Sequence, residues 1–204
     1  MPLKLPEKIK LISVDVFDED AGTLEKNSQF RFSYLENVKQ SLSLTMNSVN
    51  KQVYNYGSIH PVFAQNLPEG FVRRYISEKL QRVATVDDMF LLALQGNKGL
   101  GHLGFSSKMP EIKPEKISLD EIIKWNGKGS IFTDLLEKYY LNGIASGVQP
   151  KVLVPSQKTS AIQSDYIVKS FDSEYPDLAV NEYVCMSAAK NCGIKSTGSE
   201  PLIL

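Results

Sequence analysis

The chain has 204 residues, of which 42% are hydrophobic, and its 23 basic and 23 acidic side chains give a formal net charge of zero. A chain of this size can bury a real core, and its balanced charge gives no global field that would favour nucleic acid or a membrane surface. The N-terminus lacks the apolar core of about 7–15 residues that a signal peptide needs, and no segment approaches the roughly 20 apolar residues of a membrane span, which predicts a cytoplasmic location.

The first third of the chain has the pattern of an antiparallel sheet with one solvated face. Residues 9–17 alternate as a strand, residues 19–23 (EDAGT) predict a turn, and residues 29–34 return with three aromatic side chains on one face. The pattern repeats in residues 41–46 (SLSLTM), where Leu42, Leu44 and Met46 alternate with polar residues, so a further strand is predicted there.

Two helices are predicted to cover this sheet. Residues 71–80 (FVRRYISEKL) have apolar side chains at helical spacing, and a second helix is predicted to begin near Asp87, which is a good N-cap residue. His60, which precedes a proline, has no pattern around it that supports a role as a metal ligand.

Residues 99–104 (GLGHLG) match the GxGxxG pattern of dinucleotide-binding loops. That fingerprint requires a strand before it and a helix after it, whereas here a predicted helix precedes it and a strand-like segment follows. The segment is therefore interpreted as a helix-to-strand connection, and His102 as a loop residue.

The charged, proline-containing residues 108–117 are interpreted as a linker between two units. Ser118 and Glu121 predict a helix that begins with a capping box, and residues 131–140 predict another helix that leads to the glycine turn at Gly147. After this turn, residues 151–154 and 165–169 have the pattern of two apolar strands in a hairpin.

Lys169 and Glu182 are the candidate functional pair. Alternation places Lys169 on the same strand face as Ile167, and a helix from about Asp177 to Asn191 places Glu182 within an apolar stripe, so a buried ion pair is predicted. Such a pair would hold the lysine where a nucleotide phosphate arrives. The alternative from the residues alone is a lysine that extends its ammonium group into solvent and a glutamate at the end of the stripe.

The two cysteines give no metal or disulfide signal. Cys185 and Cys192 lie seven residues apart, without a CxxC motif or a neighbouring histidine. Both are predicted to be reduced, with Cys185 in the core, and no metal site is predicted.

Taken in order, these segments resemble the N-terminal half of the HipA-family serine/threonine kinases, the toxins of HipBA-type toxin–antitoxin modules. The segments that resemble the small N-terminal subdomain are Pro61-Val62-Phe63, Asn66-Leu67-Pro68-Glu69-Gly70, Arg74, Asp88-Met89-Phe90-Leu91-Leu92 and Gly99 to Gly104. Those that resemble the nucleotide-binding part are Ser146-Gly147-Val148-Gln149-Pro150-Lys151, Ile167-Val168-Lys169, Asn181-Glu182-Tyr183, Ala189-Lys190 and Gly193.

The resemblance implies an α+β fold in three parts. These are a small sheet-and-helix subdomain over residues 1–107, a linker over residues 108–117, and a kinase N-lobe-like β-hairpin and helix over residues 118–204. It also implies that ATP is bound with Mg²⁺. The residues implied to bind ATP are Ser146, Gly147, Val148, Gln149, Lys151, Lys169 and Glu182.

Within this set the resemblance gives different roles to the backbone and the side chains. The loop backbone would cradle the phosphates, Lys169 would contact them, and Glu182 would orient Lys169. Family members are inactivated by autophosphorylation of a serine in this loop. The position three residues before Gly147 is Ile144 here, which leaves Ser146 as the candidate.

Catalysis is expected to require more than these residues. Family kinases continue into a C-terminal lobe that carries the catalytic aspartate, an asparagine and the Mg²⁺-binding aspartate, and no such segment follows Lys169 here. The first hypothesis is therefore part of a HipA-like kinase without its C-lobe. The resemblance implies a HipB-like helix-turn-helix antitoxin as partner, contact with DNA only through that antitoxin, and an aminoacyl-tRNA synthetase as protein substrate.

A second hypothesis is a non-catalytic, antitoxin-like module that binds and restrains a HipA-type kinase. In some related three-protein systems the first subdomain is such a separate protein, and residues 1–107 would play that part here. A third is an α+β domain without a nucleotide role.

Overall fold

The computed structural model describes residues 4–98, 101–110, 115–126, 130–141, 151–155, 166–170 and 177–195, and the fold is α+β as predicted. The strands are β1 (Leu11–Val16), β2 (Glu19–Lys26), β3 (Phe30–Tyr34), β4 (Val53–Tyr56), β5 (Leu103–Ser106), β6 (Lys151–Val154) and β7 (Tyr166–Lys169). The helices are α1 (Pro61–Ala64), α2 (Gly70–Leu80), α3 (Asp88–Gln95), α4 (Leu119–Ile123), α5 (Ile131–Tyr139) and α6 (Leu178–Asn191), with a 3-10 turn at Gly96–Lys98. Within these ranges, no helix has the length and apolar character needed to cross a membrane.

A five-stranded antiparallel sheet forms the first half, in the order β4-β3-β2-β1-β5. Alternation along the strands directs one set of side chains into the core, which includes Phe30, Phe32 and Tyr34 of β3. The predicted strands at residues 9–17 and 29–34 are thus confirmed.

The predicted turn at residues 19–23 is wrong, because these residues begin β2. The chain turns instead at Phe17 and Asp18, whose φ angles of 52° and 62° are those of a two-residue hairpin loop. Gly22 is needed within the strand, since a Cβ atom there would lie 2.2 Å from the Ser33 carbonyl oxygen. Close approach of the neighbouring strand, rather than a turn, explains this glycine.

The strand predicted at residues 41–46 is also wrong. The segment is a loop in which Leu42 and Met46 are buried but Leu44 is 97% exposed. The Tyr34 hydroxyl organises this loop, because it donates to the Met46 carbonyl and accepts from the Leu42 amide at 2.8 Å. The edge strand beside β3 is β4, which the sequence pattern did not predict.

Both predicted helices of the first half are confirmed. Three side chains of α2 spaced four residues apart are buried: Val72, Ile76 and Leu80. In α3, the Asp87 carboxylate caps the helix by accepting from the Phe90 amide at 3.0 Å, and the helix packs against β1 and β5.

The glycine-rich segment connects a helix to a strand, as predicted. Gly104 lies in β5 opposite Asp15, and a Cβ atom at this glycine would lie 2.3 Å from Asp15 Oδ2 and 2.7 Å from Asn97 Oδ1. A larger residue at position 104 would therefore have to displace these two side chains. Gly99 and Leu100 lie outside the described residues.

The two histidines have structural contacts. His60 is buried and caps α1, with Nδ1 accepting from the Val62 amide at 3.2 Å. The ring of His102 stacks on Phe17 at a centroid distance of 5.3 Å, and its Nε2 lies 3.2 Å from the Leu42 carbonyl oxygen.

The second half begins with helix α4, whose predicted capping box between Ser118 and Glu121 is present in full. Helix α5 follows as predicted, and its buried residues are Phe132, Leu135, Leu136 and Tyr139. Of the predicted linker, residues 111–114 lie outside the described part of the chain.

Candidate functional site

The candidate site is built on β6 and β7, which pair in antiparallel register as the predicted hairpin requires. Residues directly opposite each other share a face of the pair, so the two strands have one apolar face and one face that carries lysines. The side chains that pack against the hydrophobic core are Val152, Val154, Tyr166 and Val168. Lys151 and Lys169 lie opposite each other on the other face.

The predicted burial of Lys169 is wrong. Alternation places it with Ile167 as predicted, but this face is the more exposed one: Ile167 is 42% exposed and the Lys169 side chain 33% exposed. The reason is that the core and α5 pack against the opposite face of β6, where Val152 and Val154 are buried.

Glu182 of α6 forms an ion pair with Lys169 Nζ. The helix places the carboxylate beside β7. It ends at Asn191 and is followed by a Schellman cap, in which Gly193 has a φ of 76°, its amide donates to the Lys190 carbonyl and the Ile194 amide donates to the Ala189 carbonyl. This end agrees with the predicted stop at Gly193.

The burial predicted for α6 itself is not observed. None of its residues is buried, and Cys185, which was predicted in the core, is exposed. Both Cys185 and Cys192 are free thiols. The Glu182 side chain is 37% exposed, so the ion pair is partly exposed, and pairs of this kind contribute only about 0–1 kcal/mol to stability.

Three charged groups thus meet on this face of the strands: the ammonium groups of Lys151 and Lys169 and the carboxylate of Glu182. Burial lowers the pKa of Lys151 and the nearby Lys169 charge lowers it further, while Glu182 acts in the opposite direction. Glu182 pairs with Lys169 and also acts electrostatically on Lys151, so two positive charges face one negative charge. Such a cluster can attract an anion, and an ammonium group is a suitable point charge for phosphate.

The remaining sequence-predicted site residues are Ser146, Gly147, Val148 and Gln149, which all lie outside the described residues. Within the described ranges, no group of three or more His, Cys, Asp or Glu side chains is arranged to hold a metal ion. Of the predicted site residues, the structure describes Lys151, Lys169 and Glu182, and these three form the charge cluster.

Two features of this region were not predicted from the sequence. The first is the position of Lys151 opposite Lys169, which the antiparallel register gives once both strand ends are known. The second is the contact between α2 and α5, where Glu137 accepts from Tyr75 and pairs with Lys79. The sequence carries no signal for this second contact, because the residues are about 60 positions apart.

Comparison with known proteins gives matches to both halves. The HipA N-terminal domain family matches residues 12–106, and the HipA-like C-terminal domain family matches residues 143–202. Among solved structures, the chain is similar to one described as "N-terminal domain of HipA toxin", with 20% sequence identity over 53% of this chain and 100% of that chain and a TM-score of 0.34. The search of curated proteins gave no match.

Proposed function

Because the chain belongs to the HipA family, we propose that it supplies part of the ATP-binding site of a HipA-like toxin serine/threonine kinase. Residues 12–106 match the HipA N-terminal domain family, and the charge cluster lies within residues 143–202, which match the HipA-like C-terminal domain family. The observation that carries the proposal is the ion pair between Lys169 and Glu182, with Lys151 directly opposite.

Each residue of the cluster has a distinct role in this proposal. Lys169 contacts the phosphates, Glu182 holds the lysine side chain in one direction, and Lys151 adds a second positive charge. The backbone of the loop that contains Ser146, Gly147, Val148 and Gln149 completes the phosphate site. The surplus positive charge of the cluster fits a polyphosphate, which carries several negative charges on adjacent groups.

The cluster binds and orients nucleotide but supplies no group for the chemical step. ATP supplies the phosphoryl group, and Mg²⁺ neutralises charge on its phosphates when bound. In this proposal the Mg²⁺ ligands and the catalytic aspartate belong to a C-lobe, as the resemblance to the family kinases implies. A HipB-like antitoxin and an aminoacyl-tRNA synthetase substrate belong to the same proposal.

Isothermal titration with ATP–Mg²⁺ tests the proposal on the whole chain. We expect weak binding by the wild-type chain and a loss of at least about tenfold in affinity for Lys169→Met, since this change removes a charge-assisted contact to phosphate. Lys190→Met is the matched control, because it removes the same charge from an exposed position about two turns from Glu182 on α6. Equal affinity of Lys169→Met and the control, or no binding by the wild-type chain, would contradict the proposal.

The non-catalytic module is the second candidate, favoured by the match of the HipA N-terminal domain to residues 12–106. In this function residues 1–107, which contain the five-stranded sheet and are called the sheet domain below, bind a HipA-type kinase and restrain it. Titration of the chain into a purified HipA-type kinase, with phosphorylation of its substrate as readout, tests it. A saturable loss of activity that Lys169→Met leaves unchanged supports the module, and unchanged activity at all concentrations rules it out for that kinase.

A further inference from the structure

Helix α2 presents two different faces. One face buries Val72, Ile76 and Leu80 in the hydrophobic core. The neighbouring face carries Phe71, Tyr75 and Lys79, which are also four residues apart and therefore line up along the helix. This second face meets α5.

The contact between α2 and α5 combines rings and charges. Phe71 lies 6.4 Å from Phe132 between ring centroids, and Tyr75 lies 5.9 Å from Tyr140 in an edge-to-face arrangement. Beyond the rings, the Glu137 carboxylate accepts a hydrogen bond from the Tyr75 hydroxyl and another from Lys79 Nζ at 2.8 Å. These contacts were not predictable from the local sequence.

Glu137 is the common partner of both polar groups on α2. The hydrogen bond from Lys79 holds the pKa of Glu137 below its ordinary value, and the Tyr75 hydroxyl acts in the same direction. The pKa of Tyr75 is raised by burial first and by the hydrogen bond to Glu137 second. Each partner therefore favours the ionised carboxylate and the neutral tyrosine, so the contact is intact at neutral pH.

Helix α5 connects this contact to the lysine-bearing strands. Its buried face lies in the same hydrophobic core as Val152 and Val154, and α5 contacts β6 directly. A second contact, outside α5, lies next to the end of β6, where the Ile117 amide donates to the Pro155 carbonyl at 3.0 Å. A displacement of α5 would therefore move β6, and with it the lysine pair formed across β6 and β7.

We infer that Glu137 is a positioning residue, whose carboxylate holds α5 on α2 and thereby sets the arrangement of β6 and β7. The sheet domain then determines where Lys151 and Lys169 lie, although none of its residues belongs to the charge cluster. The consequence for ATP rests on the proposed function, whereas the coupling between α2 and the strand pair does not.

Hydrogen exchange measured by mass spectrometry tests the coupling on the whole chain. We compare the wild-type chain with Glu137→Gln, which keeps the size of the side chain but loses its charge. We expect the exchange rates of amides in residues 151–154 and 166–169 to increase about two- to fivefold. This factor corresponds to the small stabilisation that is lost with an exposed ion pair. Amides of β1 and β3 should exchange as in the wild type.

Glu78→Gln is the matched control, because this exposed glutamate lies on α2 and its substitution is chemically identical. It should leave both groups of amides unchanged. Uniform acceleration of all amides in Glu137→Gln would indicate a general stability effect, and unchanged exchange in β6 and β7 would indicate no coupling; either result overturns the inference.

A parallel ATP–Mg²⁺ titration separates this inference from the proposed function. If Glu137→Gln weakens ATP binding by a similar factor while Glu78→Gln does not, the coupling reaches the nucleotide site. If the wild-type chain binds no ATP, the proposed function fails, but the exchange rates in β6 and β7 still decide whether Glu137 positions these strands.

Discussion

Lys151 and Lys169 stand directly opposite each other across the antiparallel strands β6 and β7. Like charges in this position repel and destabilise a strand pair. The carboxylate of Glu182 pairs with Lys169 and offsets part of this repulsion. Two ammonium groups and one carboxylate leave a surplus of positive charge on this face, which is the property on which the proposed contact with phosphate depends.

The first prediction concerns the pKa of Lys151. Lys169 lowers this pKa and Glu182 raises it. We therefore expect Lys169→Met to raise the pKa of Lys151 and Glu182→Gln to lower it, as measured by NMR titration of the lysine side-chain carbons. Lys190→Met serves as control and should leave the value unchanged. Shifts in the same direction for the two test variants would contradict the arrangement of the three groups.

The second prediction compares two leucines of one loop. Leu42 is 1% exposed and Leu44 is 97% exposed. Leu42→Ala should lower the free energy of unfolding by about 2–5 kcal/mol, because it leaves a cavity in the core. Leu44→Ala should change it by no more than about 0.5 kcal/mol. Chemical denaturation of both variants measures the difference, and equal losses would mean that the loop does not adopt the conformation described.

The comparison of these leucines also shows why part of the fold could not be predicted. Residues 41–46 alternate as a strand does, yet Tyr34, which comes from a neighbouring strand, fixes them as a loop through its hydroxyl group. The alternation of residues within a segment cannot reveal a hydrogen bond with a side chain from elsewhere in the chain. Helix signals were more reliable, since the cap at Asp87 and the capping box at Ser118 are local interactions.

The candidate site could likewise be predicted only in part from local sequence patterns. Alternation correctly put Lys169 and Ile167 on one face, and helical spacing brought Glu182 to the lysine. The sequence could not show which face of the strand is buried, because this depends on where α5 packs. It could not show Glu137 as a partner of α2 for the same reason: the contact joins elements far apart in the chain.

The third prediction tests the structural interpretation of the glycine-rich segment. Gly104→Ala should lower the free energy of unfolding by about 1–3 kcal/mol, because the new Cβ atom would overlap the Asp15 carboxylate and the Asn97 side chain. Gly57→Ala is the control, since a Cβ atom at Gly57 would meet nothing within 4 Å. ATP titration should show equal affinity for both variants. A specific loss of ATP binding in Gly104→Ala would instead support a nucleotide role for this segment.

The fourth prediction concerns the N-cap of α3. Asp87 accepts from the Phe90 amide and also pairs with Lys26 at 3.2 Å. Asp87→Ala loses both interactions and should cost about 1 kcal/mol or more in the free energy of unfolding. Asp87→Asn keeps a capping oxygen and loses only the charge, so its cost should be smaller. Thermal denaturation of the two variants measures this order, and an equal cost would assign the effect to the ion pair alone.

The last prediction uses the pH dependence of stability at Asp15. Burial raises the pKa of Asp15 above its ordinary value, and the charges of Asp18 and Asp20 raise it further. A carboxyl group with a raised pKa in the folded state favours folding when protonated, and this contribution is lost as the pH rises through the folded pKa. Asp15→Asn should therefore stabilise the protein at pH 7. At a pH below about 3.9, which is the pKa of an aspartate in the unfolded chain, the free energies of unfolding of the two proteins should differ little.

Denaturant unfolding of wild type and Asp15→Asn across this pH range measures the effect. The amide side chain keeps one oxygen that can accept backbone hydrogen bonds, so the pH-dependent part of the difference reports the charge. Repeating it in an Asp20→Asn background should shrink the difference at pH 7, because one of the repelling charges is gone. A difference that is independent of pH, or that grows as the pH falls, would show that the Asp15 carboxylate is not disfavoured by its surroundings.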